Sequence, residues 1–320
     1  MKKSFVSIII VNYDGKNLMK IILDSIKQSQ FKNYEIVVVD NNSSDGSREF
    51  IKNNYKNVKL IANKKNLGYS GINSGLKYCN GEYILFLNND MEIAKDCIGN
   101  MVKVIESDKS IAMAAPRFVN FYNKDLVSGG TWVSRAFYSG HMPATKNDKI
   151  IEIPYLGMGM IRKEVTGYFG YLFDPDYFIY AEDLDLGLRI RLMGKKVMFV
   201  PDAIVYHMHS ATMQSVEDSK RAFLLERNLM TTMLKILSFW NLCKFLPYAI
   251  FVRLIAVLKN IASGNFTVAF ARIRALFWIL LNFNLILRKR KQTQELRKID
   301  DDYILKIFTE KYTFSKRFLV

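Results

Sequence analysis

Four short apolar runs, FVSIIIV at 5–11, IVVV at 36–39, VKLIA at 58–62 and YILFL at 83–87, punctuate the first ninety residues. Their length and β-branched content predict strands buried on both faces of a parallel sheet. Helical spacing fills the gaps at about 16–28, 45–54 and 70–79, so the order reads βαβαβαβ and predicts a doubly wound open α/β sheet. Ser43 or Ser44 is the expected N-cap of the second helix, and Asn80-Gly81 is expected to close the third. A further helix is expected over 94–107, then a strand at 111–115 that ends before Pro116.

From 117 to 156 no single period dominates, and SGG at 128–130 and SGHMPAT at 139–145 read as loops. Regularity returns with GMGMIRKEV at 157. A helix is expected over 182–193, closed by Gly194, then a strand at 196–201. No internal repeat is present.

Beyond about residue 219 the pattern changes to helical periodicity interrupted by cations, through residues 235–262 and 268–291. Lys244, Arg253, Arg272 and Arg274 break the longer apolar windows, and the longest charge-free run, Ala275–Leu287, is short for a spanning helix. Such stretches fit interfacial helices lying on a membrane. Amphipathic helices packed on the preceding domain, or on another subunit as an oligomer contact, are the alternative. Arg288-Lys289-Arg290-Lys291 favours the membrane. The expected division is a catalytic domain over 1–215 and a basic amphipathic helical region over 216–320.

Charge follows this division. The chain of 320 residues has a net charge of +16. Residues 214–320 hold 19 Lys+Arg against 8 Asp+Glu, a net of +11, and leave only +5 for the rest. Leu, Ile, Phe and Trp lie between the tail's cations, which points to an anionic membrane surface rather than nucleic acid. Cys79, Cys97 and Cys243 make neither a disulfide set nor a zinc pattern, and no leader pattern opens the chain. A reducing, cytoplasmic setting is expected, peripheral on the inner face of the cell membrane.

Candidate chemistry lies where apolar runs end. Asp40 follows the second strand with Asn41, Asn42, Ser43, Ser44 and Asp45 behind it. A carboxylate there can accept the imide N–H of uracil or thymine, although these are also ordinary turn residues. Asn66, Gly68 and Asn73 lie in NLGYSGINSG at 66–75, which reads either as a phosphate-binding loop or as tight packing. Asn88-Asn89-Asp90 follows the fourth run, and Asp90 can give a carboxylate oxygen to a divalent cation while Asn88 offers an amide oxygen.

Glu182, Asp183 and Asp185 crowd a helix start. They can be dipole-stabilised, with Asp185 pairing Arg189, or hold a general base whose pKa its neighbours raise, and both readings hold at once if one carboxylate is catalytic and its neighbours structural. His207 and His209 project to the same side if extended, and His207 is the candidate co-ligand of Asp90.

In this order the motifs resemble those of the inverting family-2 glycosyltransferases of GT-A fold, especially the bacterial branch that includes rhamnosyltransferases and galactofuranosyltransferases. The likeness covers about residues 4–212. It includes Ile10-Val11-Asn12-Tyr13, the loops at 40–47 and 66–75, LNND at 87–90, Gly157–Arg162, Phe173–Arg189 and His207. Ile72 and Pro175-Asp176 depart modestly from the family pattern.

The resemblance implies that Asp40 contacts the nucleobase, Asp90 and His207 hold Mg²⁺ or Mn²⁺, and Asp183 is the base with Glu182 next in line. It implies transfer, with inversion, from a UDP- or dTDP-sugar to a hydroxyl of a lipid-linked or surface-polysaccharide acceptor in cell-envelope biosynthesis. Two other classes compete. A sugar-nucleotidyltransferase-like enzyme would need a basic Gly-rich first loop, which Val11–Lys16 supplies poorly. A non-catalytic membrane-binding protein on the same fold would have lost the carboxylates.

Overall fold

The computed structural model describes residues 4–155, 157–208 and 217–311. The four apolar runs form β1 (Val6–Asn12), β2 (Tyr34–Asp40), β3 (Val58–Ala62) and β4 (Tyr83–Asn88), all parallel, in the order β3-β2-β1-β4. Helices α1 (Lys16–Gln28) and α2 (Ser47–Asn54) cross between them. β5 (Met91–Ile93), α3 (Cys97–Ser107), β6 (Ile111–Asn120), β10 (Gly159–Arg162) and β11 (Lys196–His207) extend the sheet in the order β4-β10-β6-β11-β5. The open, mostly parallel α/β sheet expected from the sequence is present.

Local details differ from expectation. The stretch expected as a helix at 70–79 forms two 3-10 segments, Gly68–Ser74 and Leu76–Tyr78, because Asn73 is tied to a distant loop. Helix α2 starts after Gly46, at φ +81°, since Ser43 hydrogen-bonds Asp40 instead of capping it. β6 runs through Pro116 to Asn120. Its ladder with β10 stops at Ala114, so the proline removes no donor from that pairing, and β11 changes register opposite it. In the irregular region, β7 (Thr131–Val133) and β8 (Ser139–His141) make a separate hairpin, and β9 (Ile151–Glu152) pairs with β11.

After the short α4 (Lys163–Thr166) comes α5 (Glu182–Leu192), buried on nearly every side. Leu186 and Ile190 pack into the sheet's core, whereas Leu184, Leu188 and Leu192 belong to a second core with Trp132, Tyr155, Leu229 and Met233. That second core joins α5 to the C-terminal helices α6 (Asp218–Ile236), α7 (Phe239–Ala262), α8 (Phe266–Leu281), α9 (Phe283–Gln294) and α10 (Asp301–Leu305). The division expected at 215/216 lies outside the described residues.

The tail's cations sort into two groups. Arg253 and Arg272 are buried against Glu226, and Lys289 is buried against Asp174 and Asp176. Arg290 donates to the Leu234 and Leu237 carbonyls at 2.5 and 2.6 Å. Lys244, Lys259, Arg274, Arg288 and Lys291 are exposed. Between them Phe251, Leu254 and Leu258 of α7 and Phe270, Ile273 and Phe277 of α8 face solvent at helical spacing, and Trp240 is 79% exposed. α7 is long and apolar enough to cross a membrane by length and composition, despite Lys244 and Arg253, and α8 and α9 meet at a 73° bend.

Beneath the second core lies an ion cluster. Asp185 and Asp174 have no exposed side-chain surface; Lys235 Nζ lies 2.6 Å from Asp185 and 2.8 Å from Asp174, and Arg189 Nε lies 2.8 Å from Asp185. Removing one partner of a buried pair leaves an uncompensated charge in a poorly polarisable interior. Lys235→Met is therefore expected to lower the unfolding free energy by about 3–5 kcal/mol. Urea denaturation checks this, and a loss below about 1 kcal/mol would show that the cluster carries no such weight.

Candidate active site

The C-terminal ends of β1, β2 and β4 are stitched together by side chains. Asp40, at the end of β2, is fully buried. Its Oδ2 accepts from Asn12 Nδ2 at 3.0 Å and Ser43 Oγ at 2.5 Å, and its Oδ1 from the Ser43 N–H at 3.0 Å and Arg48 Nε at 2.6 Å. Burial opposes its ionisation, but these donors outweigh it and hold the carboxyl below its usual range. Asn12 passes the link on, since its Oδ1 accepts from Asn89 Nδ2 at 2.8 Å. Asp14 and Asp45 bind the neighbouring loop through the Ser44 N–H at 2.7 Å and the Lys16 N–H at 2.8 Å.

The loop at 66–75 is shaped by close approach. Asn66 Oδ1 accepts the Gly68 N–H at 2.8 Å, a local turn. Gly68 has φ +60°, and a Cβ there would lie 2.2 Å from the Phe178 carbonyl oxygen, so only glycine fits. The next amide, Tyr69 N–H, donates to that same carbonyl at 2.8 Å. Asn73 commits its amide to the backbone: Nδ2 donates to Phe173 O at 2.7 Å, and Oδ1 accepts from the Leu172 and Phe173 N–H groups at 2.9 and 3.1 Å. Asn66 thus shapes this loop from within, and Asn73 ties it to residues 172–173.

Asp90 and His207 meet across strands. β5 pairs with β11 in a register that sets His207 opposite Met91, and the Met208 N–H donates to the Asp90 carbonyl at 3.0 Å. His207 Nε2 then lies 3.2 Å from Asp90 Oδ2. Two adjacent ligands of an octahedral cation with bonds of about 2.1 Å stand about 3 Å apart, so this imidazole and carboxylate fit one hard divalent ion. No cluster of three His, Cys, Asp or Glu suited to a metal occurs among the described residues. A bound ion would draw its other ligands from phosphate and water. His209 lies outside the described residues.

The three acids at the start of α5 have different surroundings. Asp185 is spent on Lys235 and Arg189. Glu182 is buried; burial first, then the neighbouring Asp183 charge, push its pKa well above the ordinary range. Asp183 is only partly covered, and burial raises its pKa to about 6 against the opposing pull of the Leu184 N–H, which donates to Oδ1 at 2.7 Å. That is the state of a group that can take a proton near neutral pH.

Tyr69 lies among these groups. Burial raises its phenol well above the usual value, the nearby acids Glu182, Asp90 and Asp183 add to the effect, and its hydroxyl donates to Met158 Sδ at 2.8 Å. Tyr69 therefore lies within electrostatic range of both the α5 acids and Asp90. Asp40 belongs to the adjoining Asn12–Asn89 network. The sequence singles out neither Tyr69 nor Arg48, and Asn12 only as part of the Ile10–Tyr13 motif. A polar residue closing β1 is a usable signal for Asn12, and an aromatic inside a glycine-rich loop is one for Tyr69. Nothing in the sequence marks Arg48.

Comparison with known proteins fits this geometry. The model of glycosyl transferase family 2 matches residues 7–168, which include Asp40 and Asp90 and stop short of Glu182, Asp183 and His207. The chain is 30% identical over 234 residues to the low-salt glycan biosynthesis hexosyltransferase Agl10 of Haloferax volcanii, covering 69% of this chain and 73% of that one. It is 27% identical over 194 residues to the UDP-Glc:alpha-D-GlcNAc-diphosphoundecaprenol beta-1,3-glucosyltransferase WfaP of Escherichia coli, covering 58% and 72%. Its fold is similar to that of the mannosyltransferase PcManGT of Pyrobaculum calidifontis, solved with GDP-Man and Mn²⁺, with a TM-score of 0.55 at 17% identity over 92% of this chain and 86% of that one. The GT-A-type fold expected from the motifs is thus the observed one. The chain belongs to glycosyl transferase family 2 and is a glycosyltransferase.

Proposed function

We propose that this glycosyltransferase moves one sugar, with inversion, from a UDP- or dTDP-activated donor to a hydroxyl of a lipid-linked or surface-glycan acceptor at a membrane surface. The convergence of partly open Asp183, with its raised pKa, and the Asp90–His207 pair around Tyr69 supports the reading most strongly. The acceptor named for the Escherichia coli relative, a diphosphoundecaprenol-linked sugar, supports the lipid-linked class.

Asp183 takes the proton of the acceptor hydroxyl. The freed oxygen attacks the anomeric carbon from the face opposite the nucleotide, forming the new C–O bond as the bond to the diphosphate oxygen breaks. Glu182, kept protonated by burial, leaves a single negative charge in the acidic pair. Asp90 and His207 would hold a Mg²⁺ or Mn²⁺ ion, which would supply positive charge against the diphosphate. Asn88 and Gly68 border the donor, and Asn66 and Asn73 keep its loop in shape. The nucleobase contact is assigned to Asp40, whose Oδ1 accepts from the partly exposed Arg48 side chain and from the Ser43 N–H.

The exposed apolar faces of α7 and α8, with Lys244, Lys259 and Arg274 beside them, lie on the anionic surface that carries the acceptor. Buried Arg253, Arg272 and Glu226 would be costly at the centre of a bilayer, which favours a peripheral position over a spanning one.

Asp183→Asn is expected to keep donor affinity while lowering turnover by roughly 10²–10⁴-fold. In the wild type, kcat/KM should rise with pH through about 6 as Asp183 loses its proton. A variant with near wild-type transfer, or a flat profile from pH 5 to 8, would remove Asp183 from this role. For the metal, Asp90→Ala and His207→Ala should weaken divalent-ion dependence and donor affinity together, read by calorimetry with and without Mn²⁺; full wild-type activity in excess chelator would contradict the assignment. At the membrane, Phe251→Asp and Phe277→Asp should each weaken binding to anionic vesicles at least about tenfold. Unchanged co-sedimentation would show that this face meets something else.

A further inference from the structure

The turn leading into α5 is strained. Seven non-glycine residues among those described have positive φ, and three of them, Phe178 at +63°, Tyr180 at +72° and Ala181 at +61°, fall within four positions directly before Glu182 and Asp183. Bulky side chains rarely adopt this region, and such a cluster persists only where the surroundings over-determine it. Here the determinant lies on α6, in the C-terminal region. Asn228 is fully buried, and its Nδ2 donates to three carbonyls of the turn, Tyr177 O at 3.2 Å, Ile179 O at 3.0 Å and Tyr180 O at 2.7 Å.

Arg227 reinforces it. Its guanidinium donates to Asp176 O at 2.8 Å and Tyr177 O at 3.2 Å, while its Nε donates to Asn228 Oδ1 at 2.9 Å and so fixes which way that amide faces. On its other side the turn gives the Phe178 carbonyl to the Tyr69 N–H. One short segment therefore sets both the loop at 66–75 and the carboxylates of α5.

We propose that Asn228, oriented by Arg227, is a positioning residue for the reaction: it clamps the 177–181 turn in its strained form, which aims Asp183 and seats Tyr69. The C-terminal helices are thus a structural part of the active site as well as a membrane-facing element. The inference rests on Asp183 being the base.

In steady-state transfer assays, Asn228→Ala should lower kcat by roughly 10–100-fold with a much smaller change in donor KM. Relaxation of the turn should also hydrate Asp183 and move the acid limb of kcat/KM below about 6. Ala181→Gly in the Asn228→Ala background should restore activity by roughly fivefold, because glycine adopts the left-handed region without the steric cost that alanine meets. Leu229→Ala, which opens a cavity next door on α6 and removes none of the hydrogen bonds to the turn, should lower the melting temperature and leave kcat near wild type. Should Asn228→Ala fail to fold, Arg227→Met is read in its place, with the same direction in kcat and in the acid limb.

The proposal is overturned if Asn228→Ala keeps kcat within twofold and an unmoved acid limb while Asp183→Asn is inactive. It is equally overturned if Leu229→Ala costs as much kcat for the same loss of melting temperature and Ala181→Gly restores nothing. Activity in Asp183→Asn itself would instead indict the assignment of the base.

Discussion

Asp185 is the fixed point of this molecule. It sits without solvent contact between Arg189 of its own helix and Lys235 of α6, and its position pins α5 between two hydrophobic cores. A carboxylate buried this deeply is tolerable only with both partners present, so α5 and α6 cannot separate without exposing unpaired charge to a dry interior. The first turn of α5 then has one place to go. Asp183 is left partly open beside the loop that carries Tyr69, two residues before a carboxylate that cannot move.

The same constraint explains why the helix needs Gly187. A Cβ there would lie 2.4 Å from the Pro154 carbonyl oxygen and 2.6 Å from the Tyr155 Cβ, so the 154–155 segment rests directly against α5. Tyr155, pressed into this contact, feels the Asp183 charge in addition to its own burial, and its phenol stays protonated. Packing, rather than exposure to a charged partner, is thus what gives Asp183 its raised pKa.

Much of this was legible in the sequence because strand ends are punctuated by polar residues. Asp40, Asn88 and Asp90 stand directly after apolar runs, and parallel strands gather such ends at one edge. His207 ends a strand longer than its apolar run suggests, since the register change opposite Pro116 carries β11 on to reach β5. The acids of α5 are visible as a group, but their separation into a paired Asp185, a buried Glu182 and a half-buried Asp183 is not, since Asp185 takes its partner Lys235 from α6. No local signal announces Asn228, because its partners are carbonyls about fifty residues away. The tail's cations mislead in the same way: Arg253 and Arg272 look like headgroup contacts in sequence and are interior partners of Glu226 in the fold.

In the proposed reaction a single proton acceptor, Asp183, serves one displacement at the anomeric carbon and therefore one stereochemical outcome. Proton NMR of the first-formed product, read at the anomeric coupling constant before any equilibration, tests that claim most directly. The account predicts that the new linkage has the configuration opposite to that of the nucleotide-sugar donor. A product that retains the donor's configuration would require a covalent or front-face route and would contradict it.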